Sequence, residues 1–238
     1  MSVITQEIEQ WHDDVCCRGF LAYPSDAKIA PAIMIVHDWS GLNQRAKDRA
    51  LELAQQGYVT YAIDMYGLGK VGETNEEKQA LMMSILPDRS KLRERLNLFL
   101  DKLRSLPQVD QNNIFAIGFC FGGLCVLDLA RSGANLKGVV SFHGLLSAAP
   151  ECSEKHVHAD ILVLHAFEDP MVKPADLVAF CDEMTGLGAK WEVDIYSQTK
   201  HAFTNPDAHD VQHGLVYNED VAKRAFTAMH AFFARLMG

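Results

Sequence analysis

A cysteine framed by glycines, where an apolar run gives way to a helical pattern, is the strongest chemical signal in the chain. The run Ile114-Phe115-Ala116-Ile117 stops at Gly118; Cys120 follows, then Gly122 and Gly123, then a helix-like stretch over 124–130. This has the strand–turn–helix form of a nucleophile elbow, G-x-S-x-G, with Cys for Ser. The chemistry explains the glycines. A nucleophile on a sharp, strained turn leaves no room for side chains two positions away on either side. The turn also sets the sulfur at a helix N-terminus, where the dipole favours thiolate. The motif predicts attack on an acyl carbon by Cys120.

A thiol nucleophile needs a base, and the base needs an orienting group. Downstream of Cys120, Asp169 lies in a loop just past the apolar strand predicted at 161–165, with Glu168 beside it as an alternative carboxylate. His201 lies in the loop past the strand predicted at 191–196. Loops beyond the carboxyl ends of strands are where the active groups of open α/β sheets collect.

The elements that must position these residues follow from periodicity. Residues 5–23 alternate as an antiparallel hairpin would. The continuous apolar run 32–36 suits a buried parallel strand. A helix is expected over 45–56 with Ala46, Ala50, Leu51, Leu53 and Ala54 inward, stopped by Gly57. Further strands are expected at 58–63, 114–117, 136–142, 161–165 and 191–196. Helices are expected at 75–84, 88–105 and 174–187, and at 218–237 with Phe226, Met229, Phe233 and Leu236 on one face. Such alternation predicts an α/β fold, a mostly parallel sheet with helices on both faces, as a single domain over 1–238 without a lid domain.

The chain has 238 residues, enough for a substantial core, and 48% hydrophobic residues with 22% charged, as soluble domains have. A net charge of −9 argues against nucleic-acid or anionic-membrane partners. No run approaches the length of a bilayer span, and the N-terminus lacks the basic and apolar regions of a signal peptide. Six cysteines, at 16, 17, 120, 125, 152 and 181, form no C-x-x-C pair. Free thiols and a cytoplasmic setting are expected. Cys16 and Cys17 read as small hydrophobes in a strand, and Cys125 as core.

Two other motifs carry less. His209-Asp210-Val211-Gln212-His213 has the spacing of H-E-x-x-H, but with the shorter acid and no evident third ligand, so no metal is expected. His156-Val157-His158 reads as a surface turn. Neither a P-loop lysine nor a G-x-G-x-x-G after a strand is present, so no nucleotide cofactor is expected.

The elbow 118–123, the segments 165–172 and 201–203, the segment His37-Asp38-Trp39-Ser40-Gly41-Leu42-Asn43 and the segment Asp64-Met65-Tyr66-Gly67 together resemble the dienelactone hydrolase family of the α/β-hydrolase fold. The resemblance covers nearly the whole chain in order. It implies Cys120 as nucleophile, His201 as general base and then acid, and Asp169 as the group orienting the imidazole. It also implies an oxyanion hole from the backbone N–H groups of Trp39 and Phe121. Asp38 matches the position of a family glutamate that modulates the thiol, one methylene shorter here. Where the family holds its substrate's carboxylate with arginines, this chain has Leu68 and Asn205. The expectation is therefore a cysteine hydrolase of a small lactone or ester acting through an acyl-enzyme. The alternatives are a dienelactone hydrolase (carboxymethylenebutenolidase) in the strict sense, or a non-catalytic binding protein that kept the fold.

Overall fold

The structure, a computed structural model, describes residues 2–148 and 156–238. Cys152 lies outside them. The described residues form two compact units, 1–117 and 118–238.

In the first unit, β1 (Val3–His12) and β2 (Val15–Pro24) form the expected antiparallel hairpin, in register from Val3↔Pro24 to His12↔Val15. Its two-residue turn is possible because Asp13 takes a left-handed φ of +54°. β3 (Ala30–Val36) runs parallel to β4 (Val59–Ile63), and β4 pairs antiparallel with β2. β4 is buried along its whole length and β3 along nearly all of it, as the apolar runs require. α1 (Gln44–Gln55) connects β3 to β4. Asn43 caps it by accepting the Ala46 N–H at 3.1 Å, and the chain leaves through Gly57 at φ +103°. Ala50, Leu53 and Ala54 are buried as expected, while Ala46 and Leu51 are half-buried. α2 (Asn75–Met83) starts with a Thr74–Glu77 capping box, and α3 (Arg89–Arg104) is capped by Asp88. β5 (Val109–Phe119) then carries the chain into the second unit. Cys16 and Cys17 are both buried, and burial pushes the Cys17 thiol up to about 11, where it is inert.

In the second unit, α4 (Phe121–Arg131) is followed by β6 (Gly138–Phe142) and β7 (Asp160–Ala166), α5 (Pro174–Gly186) and β8 (Trp191–Tyr196). β6, β7 and β8 pair in parallel, in chain order. α6 (Glu219–Met237) is capped by Asn218, whose side chain accepts the Val221 N–H. Its buried face contains Met229 and Phe233, as expected. Val221, Ala222, Ala225 and Phe232 complete it, while Phe226 and Leu236 are half-buried. Cys125 is core.

Two elements differ from expectation. β5 begins at Val109, ahead of the strand expected at 114–117, and takes in the polar stretch Asp110-Gln111-Asn112-Asn113. Residues 209–216 form a small hairpin, β9 (His209–Asp210) with β10 (Leu215–Val216). His209 and His213 therefore share no helix face. Instead His213 Nδ1 sits 2.7 Å from Asp210 Oδ2, and that contact holds the Asp210 carboxyl below its usual range. No described helix is long and apolar enough to cross a membrane.

Helix α4 is anchored by a buried guanidinium. Arg131 is fully enclosed; it forks onto Glu183 of α5 at 2.9 and 2.7 Å, reaches Asp128 at 3.2 Å and donates to the Leu146 carbonyl at 3.0 Å. Removing one partner of a buried ion pair leaves the others uncompensated, at about 3–5 kcal/mol. Arg131→Met is accordingly expected to destabilise the protein by that amount in urea denaturation. An unchanged midpoint and slope would show that the pair contributes nothing.

Candidate active site

Cys120 stands between the end of β5 and the first residue of α4. Its backbone is at φ +53° and ψ −114°, a conformation that non-glycine residues adopt only where neighbours enforce it. The flanking glycines show why. A Cβ on Gly118 would sit 1.9 Å from the Gly122 carbonyl oxygen. One on Gly123 would sit 2.6 Å from Ser141 Oγ and 2.7 Å from Gly144 Cα. The turn is thus pressed against its own helix and against the segment beyond β6. The Cys120 N–H donates to the Phe142 carbonyl at 3.0 Å, and its carbonyl accepts from Gly123 and Leu124. The side chain is half-buried at the positive end of α4. Phe121, the expected oxyanion donor, is the first residue of that helix, where N–H vectors point outward along the axis.

The loop after β7 and the loop after β8 meet. His201 Nδ1 lies 2.6 Å from Asp169 Oδ2, and both side chains are buried. A carboxylate only accepts, so Nδ1 carries the proton and Nε2 is the basic nitrogen. Asp169 is fixed in turn: its Oδ1 accepts the Met171 N–H at 2.8 Å, and its own N–H donates to the Ala166 carbonyl at 3.2 Å. The neighbouring Glu168 is exposed and holds the loop only through its N–H, which donates to the Thr199 carbonyl.

Burial disfavours a charged His201, but a negative Cys120 sulfur and the bond from Asp169 outweigh it, so its pKa is raised. Nε2 is buried and finds no hydrogen-bond partner among the described residues. The Cys120 sulfur acts on His201 both through its charge and at hydrogen-bonding range, although no contact of full hydrogen-bond geometry reaches Nε2 among the described residues. A cysteine beside an imidazole with a carboxylate behind it is an arrangement that can perform nucleophilic acyl chemistry.

Two histidines in this neighbourhood were not singled out from the sequence. His165, near the end of β7, is 3% exposed with its Nδ1 unpartnered among the described residues. Burial lowers its pKa against the pull of Asp169. His143 directly follows β6 and packs edge-on to His201. The signal that could have found His143 is the one that found Asp169 and His201, namely a position just past a parallel strand.

Asp38 and Trp39 belong to the first unit, in the loop after β3. The carboxylate of Asp38 is engaged within that loop: Oδ1 accepts the Ser40 N–H at 2.8 Å, and Oδ2 lies 3.8 Å from Arg45 Nη1. The carbonyls on either side of the Trp39 N–H are held as well. His37 Nδ1 contacts the Asp38 carbonyl at 2.5 Å, and the Tyr66 hydroxyl donates to the Trp39 carbonyl at 3.0 Å. Beyond β4, Asp64 accepts N–H groups from Arg18, Tyr66, Gly67 and Gly69, so that glycine-rich loop spends its donors on a side chain. Leu68 of the same loop is exposed, and Asn205 is half-buried with its side chain accepting the Asp207 N–H. Among the described residues, no three His, Cys, Asp or Glu side chains gather as metal ligands would.

The chain matches the dienelactone hydrolase family over residues 17–237. It superimposes with a TM-score of 0.93 on the crystal structure of a dienelactone hydrolase-like promiscuous phosphotriesterase from metagenomic libraries, at 31% identity and over 99% of each chain. A Bradyrhizobium protein named as a probable 2-oxo-3-(5-oxofuran-2-ylidene)propanoate lactonase is 28% identical over 195 residues, 78% of this chain and 78% of its own. An uncharacterized Caenorhabditis elegans protein is 32% identical over 145 residues, 60% of this chain and 92% of its own. The family match takes in both units from within β2 to the last helix: this chain belongs to the dienelactone hydrolase family, with the α/β-hydrolase fold.

Proposed function

We propose that this member of a family of ester and lactone hydrolases cleaves a small lactone or carboxylic ester through a Cys120-His201-Asp169 triad and an acyl-enzyme. The observation that carries the reading is the 2.6 Å bond from Asp169 to His201, with the charge of that imidazole coupled to the sulfur on the elbow. In the proposed reaction the Cys120 thiolate adds to the carbonyl carbon and forms a C–S bond. The C–O bond to the leaving oxygen then breaks, and His201 Nε2 delivers the proton that oxygen needs. In a lactone the leaving oxygen stays tethered to the acyl group. Water, deprotonated by His201, then adds to the thioester, and the thiolate departs. Asp169 holds the tautomer and stabilises the imidazolium throughout. The backbone N–H groups of Phe121 and Trp39 are assigned to the oxyanion on the family resemblance.

Substrate charge is the finer question. Leu68 and Asn205 offer no cation where the family's arginines bind a carboxylate, which favours uncarboxylated substrates. The relatives named for a lactonase and a phosphotriesterase suggest the panel. Small esters, thioesters, carboxylated and uncarboxylated lactones, and an aryl phosphotriester should be screened against wild type and Cys120→Ala. Preferential turnover of carboxylated dienelactones would return the strict family activity. Failure of an acyl-reactive probe to label Cys120 would favour a binding protein. The free cysteines fit a cytoplasmic setting, with no partner proposed beyond the small substrate.

Cys120→Ala and His201→Ala are each expected to lower turnover by about four orders of magnitude or more in a folded protein, and Asp169→Asn by less. Glu168→Gln should stay near wild type. A greater loss in Glu168→Gln than in Asp169→Asn would reassign the acid, and a near-wild-type rate in folded Cys120→Ala would remove the nucleophile.

We also propose, on the resemblance, that Asp38 modulates the thiol. A carboxylate near a sulfur opposes the thiolate by like-charge repulsion. Asp38→Asn should then speed alkylation of Cys120 by iodoacetamide near neutral pH while slowing substrate turnover. Superimposable alkylation–pH curves for the two proteins would leave Asp38 as the brace of its own loop, through Ser40 and Arg45.

A further inference from the structure

Asp169 fixes one point of His201, but one hydrogen bond does not fix a plane. An imidazole held only at Nδ1 can still swing about that contact and misdirect Nε2. A second constraint comes from His143. Its ring lies 5.1 Å from the His201 ring at 65°, and 5.0 Å from the Phe203 ring at 80°. Its Nε2 is hydrogen-bonded to Thr204 Oγ1 at 2.8 Å, on the loop that carries His201 and three residues beyond it. Its backbone N–H donates to the Leu164 carbonyl at 2.9 Å, on β7, the strand that leads to Asp169. His143 thus ties the strand bearing the acid to the loop bearing the imidazole.

The residue is also locally unfavourable. Its backbone φ is +40°, rare outside glycine, and its Nδ1 is buried without a hydrogen-bond partner among the described residues. A phenylalanine would fill similar space without orphaning a nitrogen. Positions that break local rules in several ways at once are expected at functional sites.

Resting on the assignment of His201 as base, we propose that His143 is a positioning residue: tied to Thr204 and packed edge-on, it holds the plane of the His201 ring and so aims Nε2. Burial, and secondarily the charge on His201, keep His143 well below the usual imidazole range, so it stays neutral beside the imidazolium. The other titratable groups coupled to His201 are Cys120 and Asp169, which raise it, with His165 nearby and likewise held low.

The test measures kcat, KM, the pH dependence of kcat/KM and thermal stability for His143→Phe, His143→Gln and Thr204→Val. An ester or lactone turned over by wild type serves as substrate. His143→Phe is expected to lose about 10–100-fold in kcat with KM within about 3-fold, as a misaimed catalytic group does. Its melting temperature should stay close to wild type, because the loss of the orphaned Nδ1 offsets leaving Thr204 Oγ1 without its partner. The pH midpoints should stay in place, since the titrating group is His201. His143→Gln, whose terminal amide can still reach Thr204, should recover most of the rate. Thr204→Val should show a loss similar to His143→Phe, and the double variant no further loss, as two ends of one contact behave. Full activity in His143→Phe overturns the proposal, as does a loss of activity that merely follows a loss of stability in every variant. A displaced pH midpoint overturns it too, by making His143 a titrating participant. Additive losses in the double variant would do the same by uncoupling the two residues. Cys120→Ala and His201→Ala run alongside: should they keep their turnover, the triad itself fails, an outcome distinct from failure of His143 alone.

Discussion

The site depends on one backbone conformation, that of Cys120. A left-handed, non-glycine residue of this kind costs about 1–3 kcal/mol and survives only where its surroundings over-determine it. Here they do. The Cys120 N–H is bonded to the end of β6, its carbonyl opens the hydrogen-bond ladder of α4, and every residue of α4 is buried. The close approach that makes those bonds possible also excludes any side chain at 118 or 123. Glycines, strain and sulfur exposure are therefore a single constraint. The buried Arg131 at the far end of α4 holds the same helix through α5.

Polar satisfaction is unevenly distributed. Structural polar groups are well supplied: Asp64 accepts four N–H donors, and Arg131 reaches three acceptors besides Asp128. The second unit's buried side-chain atoms without a hydrogen-bond partner, among the described residues, are Ser141 Oγ, His143 Nδ1, His165 Nδ1 and His201 Nε2. Ser141 and His143 belong to β6 and its end, and His165 to β7. An orphaned group of this kind costs about 1–3 kcal/mol in an ordinary core. Three of the four are histidine nitrogens of the His143, His165 and His201 neighbourhood, which places the loss of stability where the chemistry is proposed.

What could be read from the sequence divides along the same physical line. The elbow was legible because its glycine spacing reflects a steric requirement, seen as a clash at 118; on the helix side the close approach shown is at 123, one residue beyond the 122 of the motif. The parallel strands were legible because burial on both faces forces continuous apolar runs. β5 escaped in part, since Asp110–Asn113 carries no apolar period; there the Asp110 side chain accepts the Asn112 N–H and the Asn113 side-chain amide. β9 and β10 escaped because two-residue strands carry no period. The choice between Glu168 and Asp169 could not be made from adjacency; it turns on which carboxylate the tight turn ending at Met171 points inward. His143 was missed because a single histidine after a strand has no spacing partner, and its tie to Thr204 spans 61 residues of sequence.

The charge arrangement explains why neutrality at two histidines matters as much as charge at the third. A lone buried charge is expensive, but in the proposed reaction a thiolate and an imidazolium form a net-neutral pair, with Asp169 as the excess anion. The positive end of α4 opposes that excess on the sulfur side. A second imidazolium at His143 or His165 would compete with His201 for the same anionic partners and lower its affinity for a proton. Burial prevents this at both positions, and the charge on His201 adds to it at each, while Asp169 pulls the other way on His165. The packing of Phe119 and Phe203 against the His143 ring contributes to that burial, so that in the proposed triad the charge is left to His201.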